Sequence, residues 1–144
     1  MHLRGAIPAS AAALALALAW AGTAAAHEPA SSNGVTASLH VTPGDTPIAG
    51  QPATIAFVEV RTKAGLAFSW KTCGCTLAVL DAEGKQLLRS PALGKPVAYV
   101  FPAVGAYQIA LAGRARQGKA WKAFRLLWTL RADTAEAVAN GSSD

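Results

Sequence analysis

From residue 35 onward, apolar and polar residues alternate along much of the chain with a period of two. Val35, Ala37, Leu39 and Val41 are separated by Thr36, Ser38 and His40. Successive side chains of a strand point to opposite faces, so this run predicts a half-buried β-strand with its apolar set inward. Residues 53–61, ATIAFVEVR, predict a second strand, rich in β-branched residues. Its phase breaks: Ile55 and Phe57 share one parity, Val58 and Val60 the other. A β-bulge or burial on both faces accounts for such a break.

Residues 70–81, WKTCGCTLAVLD, predict a central strand. Cys73, Cys75, Leu77 and Val79 share one side of it, and Thr72, Gly74, Thr76 and Ala78 the other. Leu77 and Val79 belong in a core, so alternation turns both sulfurs inward or to the core's mouth. Further strands are predicted at 86–89, 97–101, 108–113 and 121–131, the last with Phe124, Leu126, Trp128 and Leu130 on one face. Turn formers separate the strands: the run TPGDTPIAGQP over 42–52, a hairpin at 81–85 with Gly84 where positive φ is needed, and the segments 91–96 and 114–119. Helical periodicity is almost absent. The pattern therefore predicts an all-β fold, an immunoglobulin-like antiparallel β-sandwich of about seven strands. Tyr107, following the Gly105 turn at a strand start, resembles the tyrosine corner of such sandwiches.

The ends behave differently. Residues 1–26 carry Arg4, an apolar Ala/Leu run and small closing residues, with Ala24 and Ala26 suited to a cut before His27. That pattern reads as a secretory signal peptide rather than a membrane span. Cuts after Ala24 or Ala25 are alternatives. Residues 27–34 read as a mobile N-terminal segment, 35–131 as the sandwich and 132–144 as a flexible tail able to form a helical turn. No later stretch has the ~18 apolar residues of a membrane span. The expectation is a periplasmic or secreted protein with no transmembrane anchor after cleavage.

The whole chain carries a formal charge of +5, of which the leader supplies only Arg4. Arg114, Arg116, Lys119, Lys122, Arg125 and Arg131 concentrate the positive charge. In an exported protein this reads as a solvated edge that resists aggregation, with no nucleic acid as partner.

Chemistry enters with the Cys73-Gly74-Cys75 step. Two thiolates on one face can pinch a soft ion such as Cu(I). Alternatively, the pair forms a disulfide. Extended residues two apart stand roughly 6.6 Å apart, near the upper end of the ~4.4–6.8 Å range for bridged Cα atoms. Gly74 would then have to bend the chain, and such a short bridge would be strained and easily reduced. As a third reading, both cysteines are small buried hydrophobes. A pair supplies two ligands, not the four of a structural zinc site.

Gly44-Asp45, Ala49-Gly50-Gln51-Pro52, Phe101-Pro102 and Gly105-Ala106-Tyr107 together resemble small exported bacterial immunoglobulin-like domains of the YtkA-like group. That resemblance implies an accessory module near metal handling or respiratory assembly. A weaker likeness, to copper-resistance protein C domains, implies that a His27 N-terminus could chelate Cu(II), with His40 as a further nitrogen donor. Against full equivalence, Met1 is the only methionine and leaves with the leader. The candidate metal ligands are thus Cys73, Cys75, His27 and His40, with copper as the candidate cofactor. No nucleophile–base pairing and no Gly-rich phosphate loop is present, so no catalysis is expected. Two functional classes remain: an exported module binding a soft metal, and a structural or interaction domain with a periplasmic or membrane protein partner. A thiol–disulfide partner protein is a third.

Overall fold

A computed structural model of the chain describes residues 28–63, 68–114 and 122–141. The leader and His27 lie outside the described residues. Eight strands and one helix follow in order: β1 (Pro29–Ser32), β2 (Val35–Thr42), β3 (Pro52–Thr62), β4 (Thr76–Leu80), β5 (Gln86–Pro91), β6 (Val97–Val100), β7 (Gly105–Gly113), β8 (Phe124–Ala132) and α1 (Ala135–Gly141). They build two four-stranded antiparallel sheets, ordered β1-β2-β3-β6 and β5-β4-β7-β8. The all-β sandwich expected from the alternation is the fold observed. Constant-type immunoglobulin domains pair their fourth core strand with the opposite sheet; here β5 stays beside β4.

The inward parity runs as the sequence pattern requires. Val35, Leu39 and Val41 are fully buried on β2, Leu77 and Val79 on β4, Ile109 and Leu111 on β7, and Leu126 and Leu130 on β8. Each such side chain contributes about 1.5–3 kcal/mol when taken from water. The phase break in β3 is a bulge. Thr36 pairs with Arg61 but Ser38 with Val58, and Glu59 between them has φ of 52°. Before the bulge Ile55 is buried and Val58, on the other parity, is half out in solvent; beyond it Thr62, of the same parity as Val58, is buried. Asp81 to Lys85 makes the expected hairpin: Lys85 O accepts from Asp81 N, and Asp81 Oδ1 accepts from Glu83 N and Lys85 N.

Several boundaries differ from the sequence expectation: β7 begins at Gly105 rather than 108 and β5 runs on to Pro91. The segment 27–34, expected to be mobile, contains an eighth strand. Asn33 and Gly34 both take positive φ, 47° and 84°, the geometry of a tight hairpin turn that Asn-Gly favours. β1 thereby folds back on β2, Pro29 opposite Ser38 and Ser32 opposite Val35. It is also tied to the other sheet: Trp128 Nε1 donates to Glu28 O at 2.9 Å and Asn33 Nδ2 to Ala123 O at 2.7 Å. At the other end, part of the 132–144 tail is helical. Thr134 caps α1, its Oγ1 accepting from Ala137 N at 3.2 Å. The strand expected at 70–81 begins only at Thr76, because Gly74 turns the chain before it. Lastly, β8 begins at Phe124, with residues 122 and 123 outside it; Trp121, the expected start of the strand, lies outside the described residues.

The expected tyrosine corner is present. Tyr107 Oη donates to Ala103 O at 2.7 Å and accepts from Ala103 N at 3.1 Å. Its ring meets Phe101 edge-on, and Phe101 meets Tyr99 in the same way, with centroids 5.0 and 4.9 Å apart. Burial, and secondarily the Tyr107 phenol, hold the Tyr99 hydroxyl above its ordinary pKa. Replacing Tyr107 by Phe keeps the packing and removes both hydrogen bonds. We expect a loss of about 1–3 kcal/mol, read in urea unfolding as a lower midpoint at unchanged slope; an unchanged midpoint would show that the corner contributes nothing.

Candidate functional site

The two cysteines are bonded to each other as a disulfide, and no free cysteine remains. Local backbone makes this possible. Gly74 has φ of 57°, a left-handed conformation that glycine adopts without penalty. The turn draws the flanking Cα atoms to 5.1 Å, inside the usual range for a bridge. Of the alternatives left open by the sequence, the disulfide is the arrangement seen. A side chain at Gly74 would also press on Arg114, whose Cδ lies 3.3 Å from the Cβ position.

Backbone hydrogen bonds stitch this turn to two neighbours. Arg114 N donates to Cys73 O at 3.0 Å, and Ala92 N to Cys75 O at 2.9 Å. The bridge therefore joins the end of β7 to the connection between β5 and β6. Both residues are buried, Cys73 at 0% and Cys75 at 4% exposure. On the inner side, a Cβ at Gly113 would stand 3.1 Å from Cys75 Sγ and 2.3 Å from the Phe124 ring. Glycine is required there for close approach rather than for its φ.

Aromatic rings pack in a chain over this region. Phe68 meets Trp70 at 5.0 Å and Phe124 at 6.3 Å, while Phe57 meets Trp70 at 6.4 Å and Trp128 at 5.5 Å. Gly94 lies flat on the Trp70 indole, where a Cβ would come within 2.5 Å of the ring. Beside Trp70, between β3 and the segment leading into β6, is a cleft of about 180 Å³. Phe57, Val58, Trp70, Leu77 and Val97 form its apolar lining, and Lys95 is the one charged residue in it. Leu93 stands near this edge with 64% of its surface exposed.

Of the other candidate ligands, His40 is on the sheet opposite the one that β4 belongs to. His40 is on β2 opposite Ala56, with its Nδ1 3.1 Å from Asp45 Oδ1. Among the described residues no group of three or more His, Cys, Asp or Glu side chains is placed to hold a metal ion. His27 falls outside the described residues, as do Arg116 and Lys119. Lys122, Arg125 and Arg131 are exposed, and Arg131 pairs with Asp133 at 3.2 Å. Sequence reasoning missed the cleft. Gly94 and Lys95 read only as loop residues, since nothing local announces that an indole from another segment will lie against Gly94.

Comparison with protein-family models, with curated proteins and with solved structures finds no match in any of the three.

Burial of both sulfurs sets their reactivity. Treating the folded, oxidised protein with a small phosphine and a maleimide should leave its intact mass nearly unchanged. Adding denaturant should yield two adducts per chain. Two adducts without denaturant would mean that the bridge is open to solvent.

Proposed function

We propose that the chain is an exported, non-catalytic sandwich domain that acts by binding another protein, with Cys73 and Cys75 as a structural bridge. The observation that carries this reading is an apolar cleft whose lining residues Trp70 and Ala92 adjoin the buried disulfide, Ala92 N donating to Cys75 O and Trp70 preceding Cys73 by three residues. A disulfide suits an oxidising compartment, in keeping with the leader-like residues 1–26. The bridge closes too short a loop to stabilise much through chain entropy. Its effect is local: it holds the turn after Trp70 in one conformation, and with it the indole that lines the cleft. The YtkA-like resemblance points the same way, to an accessory module that works beside other proteins.

Soft-metal binding is the second reading. It is favoured by one observation, that both sulfurs lie on the same side of a single turn. It requires an external reductant, such as a phosphine or a dithiol, to give the bond two electrons; the resulting thiolates, or the thiols after losing their protons, are then available to Cu(I). His40, on the other sheet, would then serve only as a separate site.

Two measurements test these readings. Expressed with its leader in a Gram-negative host, the full chain should fractionate with the periplasm, shortened at its N-terminus and without titratable thiols. Cytoplasmic localisation with two free thiols would overturn the exported, bridged reading. For copper, the phosphine-reduced protein and its Cys73→Ser/Cys75→Ser variant are equilibrated with Cu(I) and a competing chelator. We expect equal, negligible copper in both. Retention of about one equivalent by the wild type alone would replace the structural role of the cysteines with a metal-binding one.

A further inference from the structure

The two long sides of the sandwich are finished differently. On one side β1 crosses to β8 and closes the gap with the hydrogen bonds to Trp128, Ala123 and Arg125. On the other, β6 is short. It pairs with β3 only from Pro52 opposite Val100 to Ile55 opposite Val97. Pro96 precedes it, and Gly94, with φ of 75°, turns the chain away. β3 itself continues to Thr62 against β2.

The direction of the unpaired groups follows from the ladder. Val41 N donates to Asp45 Oδ1 at 2.9 Å, and Val41 O accepts from Asp45 N at 2.7 Å. Both backbone groups of Val41 are thus engaged away from β3, so Val41 and Ile55 form a pair without ladder bonds. Antiparallel pairs alternate. The pairs His40–Ala56 and Ser38–Val58 therefore take the bonds, and Leu39–Phe57 does not. The N–H and C=O of Phe57 consequently point toward the side that β6 has left. Among the described residues neither has a backbone partner. The cleft lies on this same edge.

We infer that the partner binds as an extended strand, adding to the free edge of β3 at Phe57 and seating one apolar side chain in the cleft, with an acidic residue against Lys95. This rests on the interaction reading above and names its mode. An adjacent donor and acceptor on a sheet edge are satisfied together by a peptide backbone. The volume of about 180 Å³ is close to the ~150 Å³ that holds a benzene-sized group. It is below the ~300 Å³ at which drug-sized ligands are accommodated. One Leu- or Phe-sized side chain fits it. Lys95 is the only ionisable group in the lining, so the residue beside the anchor is acidic.

Selection from a displayed library of random decapeptides against the oxidised mature chain tests this. The probes are the selected peptide and the same peptide methylated on alternate backbone nitrogens. We expect alternating β-formers around one large apolar residue with an acidic neighbour. Val58→Lys should weaken binding at least about tenfold, and Lys95→Glu should shift the preferred neighbour from acidic to basic. Backbone methylation in the register facing β3 should abolish binding. Both substitutions are at solvent-accessible positions, and thermal unfolding checks that each variant folds; the methylated peptide needs no variant. No enrichment, or binding indifferent to both Val58→Lys and methylation, overturns the strand mode. So does a concentration-dependent dimer broken by Val58→Lys, which would make a second copy the occupant, and so does binding of a small amphiphile in place of peptide. A photo-crosslinker at Leu93 in the native host separates the two proposals. A discrete protein adduct that survives Val58→Lys leaves the interaction reading standing and removes only the strand mode. Absence of any adduct from Leu93 and from other exposed positions, Leu127 among them, removes the interaction reading itself.

Discussion

The structure depends on the burial of two facing apolar surfaces, one from each sheet, held in register by strict alternation along the strands. Leu39, Ile55, Leu77, Ile109, Leu111 and Leu126 meet in one continuous core. A slip of one residue in any strand would turn its apolar set to solvent. That is why the bulge at Glu59 matters. One inserted residue re-aims the distal part of β3, so that Val60 and Thr62 turn inward although they share the parity of Val58, which lies before the bulge and faces out.

From that constraint follows the asymmetry of the two open sides. A sandwich exposes strand edges that must be covered, charged or used. The β1 hairpin and the Trp128 indole cover one side. Exposed charges stand along the neighbouring β8, at Arg125 and Arg131. Near the short β6, cover comes from aromatic side chains rather than backbone, with Trp70 laid against Gly94 and Phe57. Side chains fill space but leave the Phe57 N–H and C=O without ladder partners among the described residues. The disulfide sits behind this patch and fixes the turn that delivers Trp70 to it.

The bridge is therefore best understood as local architecture. It does not pin one sheet to the other, as the inter-sheet cysteines of antibody domains do. Its two residues are neighbours on one turn, and their carbonyls reach outward to Arg114 and Ala92. Close packing around it requires Gly113 on one side and tolerates only Gly74 within the turn. Three glycines, at 74, 94 and 113, thus surround the same small region for two different reasons: left-handed backbone at Gly74 and Gly94, and close approach at Gly94 and Gly113.

What the sequence determined by itself is what depends on neighbours along the chain. Period-two alternation specified the strands and their inward faces, the sandwich class followed from their spacing, and the Gly105-Ala106-Tyr107 step announced the tyrosine corner. The parity conflict in residues 53–61 announced either a bulge or burial on both faces, and the pairing with β2 decided for the bulge. The Asn33-Gly34 turn was equally legible, although a polar segment beside a predicted cleavage site reads more readily as a loose end. The cysteines were readable as inward-facing, with a bridge as one of three alternatives conditional on a bend at Gly74; that Gly74 does take the left-handed conformation, and that the sulfurs are bonded, only the folded chain decided. Tertiary structure alone decided where β6 stops along β3, which indole covers Gly94, and that Lys95 borders an apolar cleft. These are contacts between segments distant in sequence, whose energies arise only when both surfaces are present, so no local pattern encodes them.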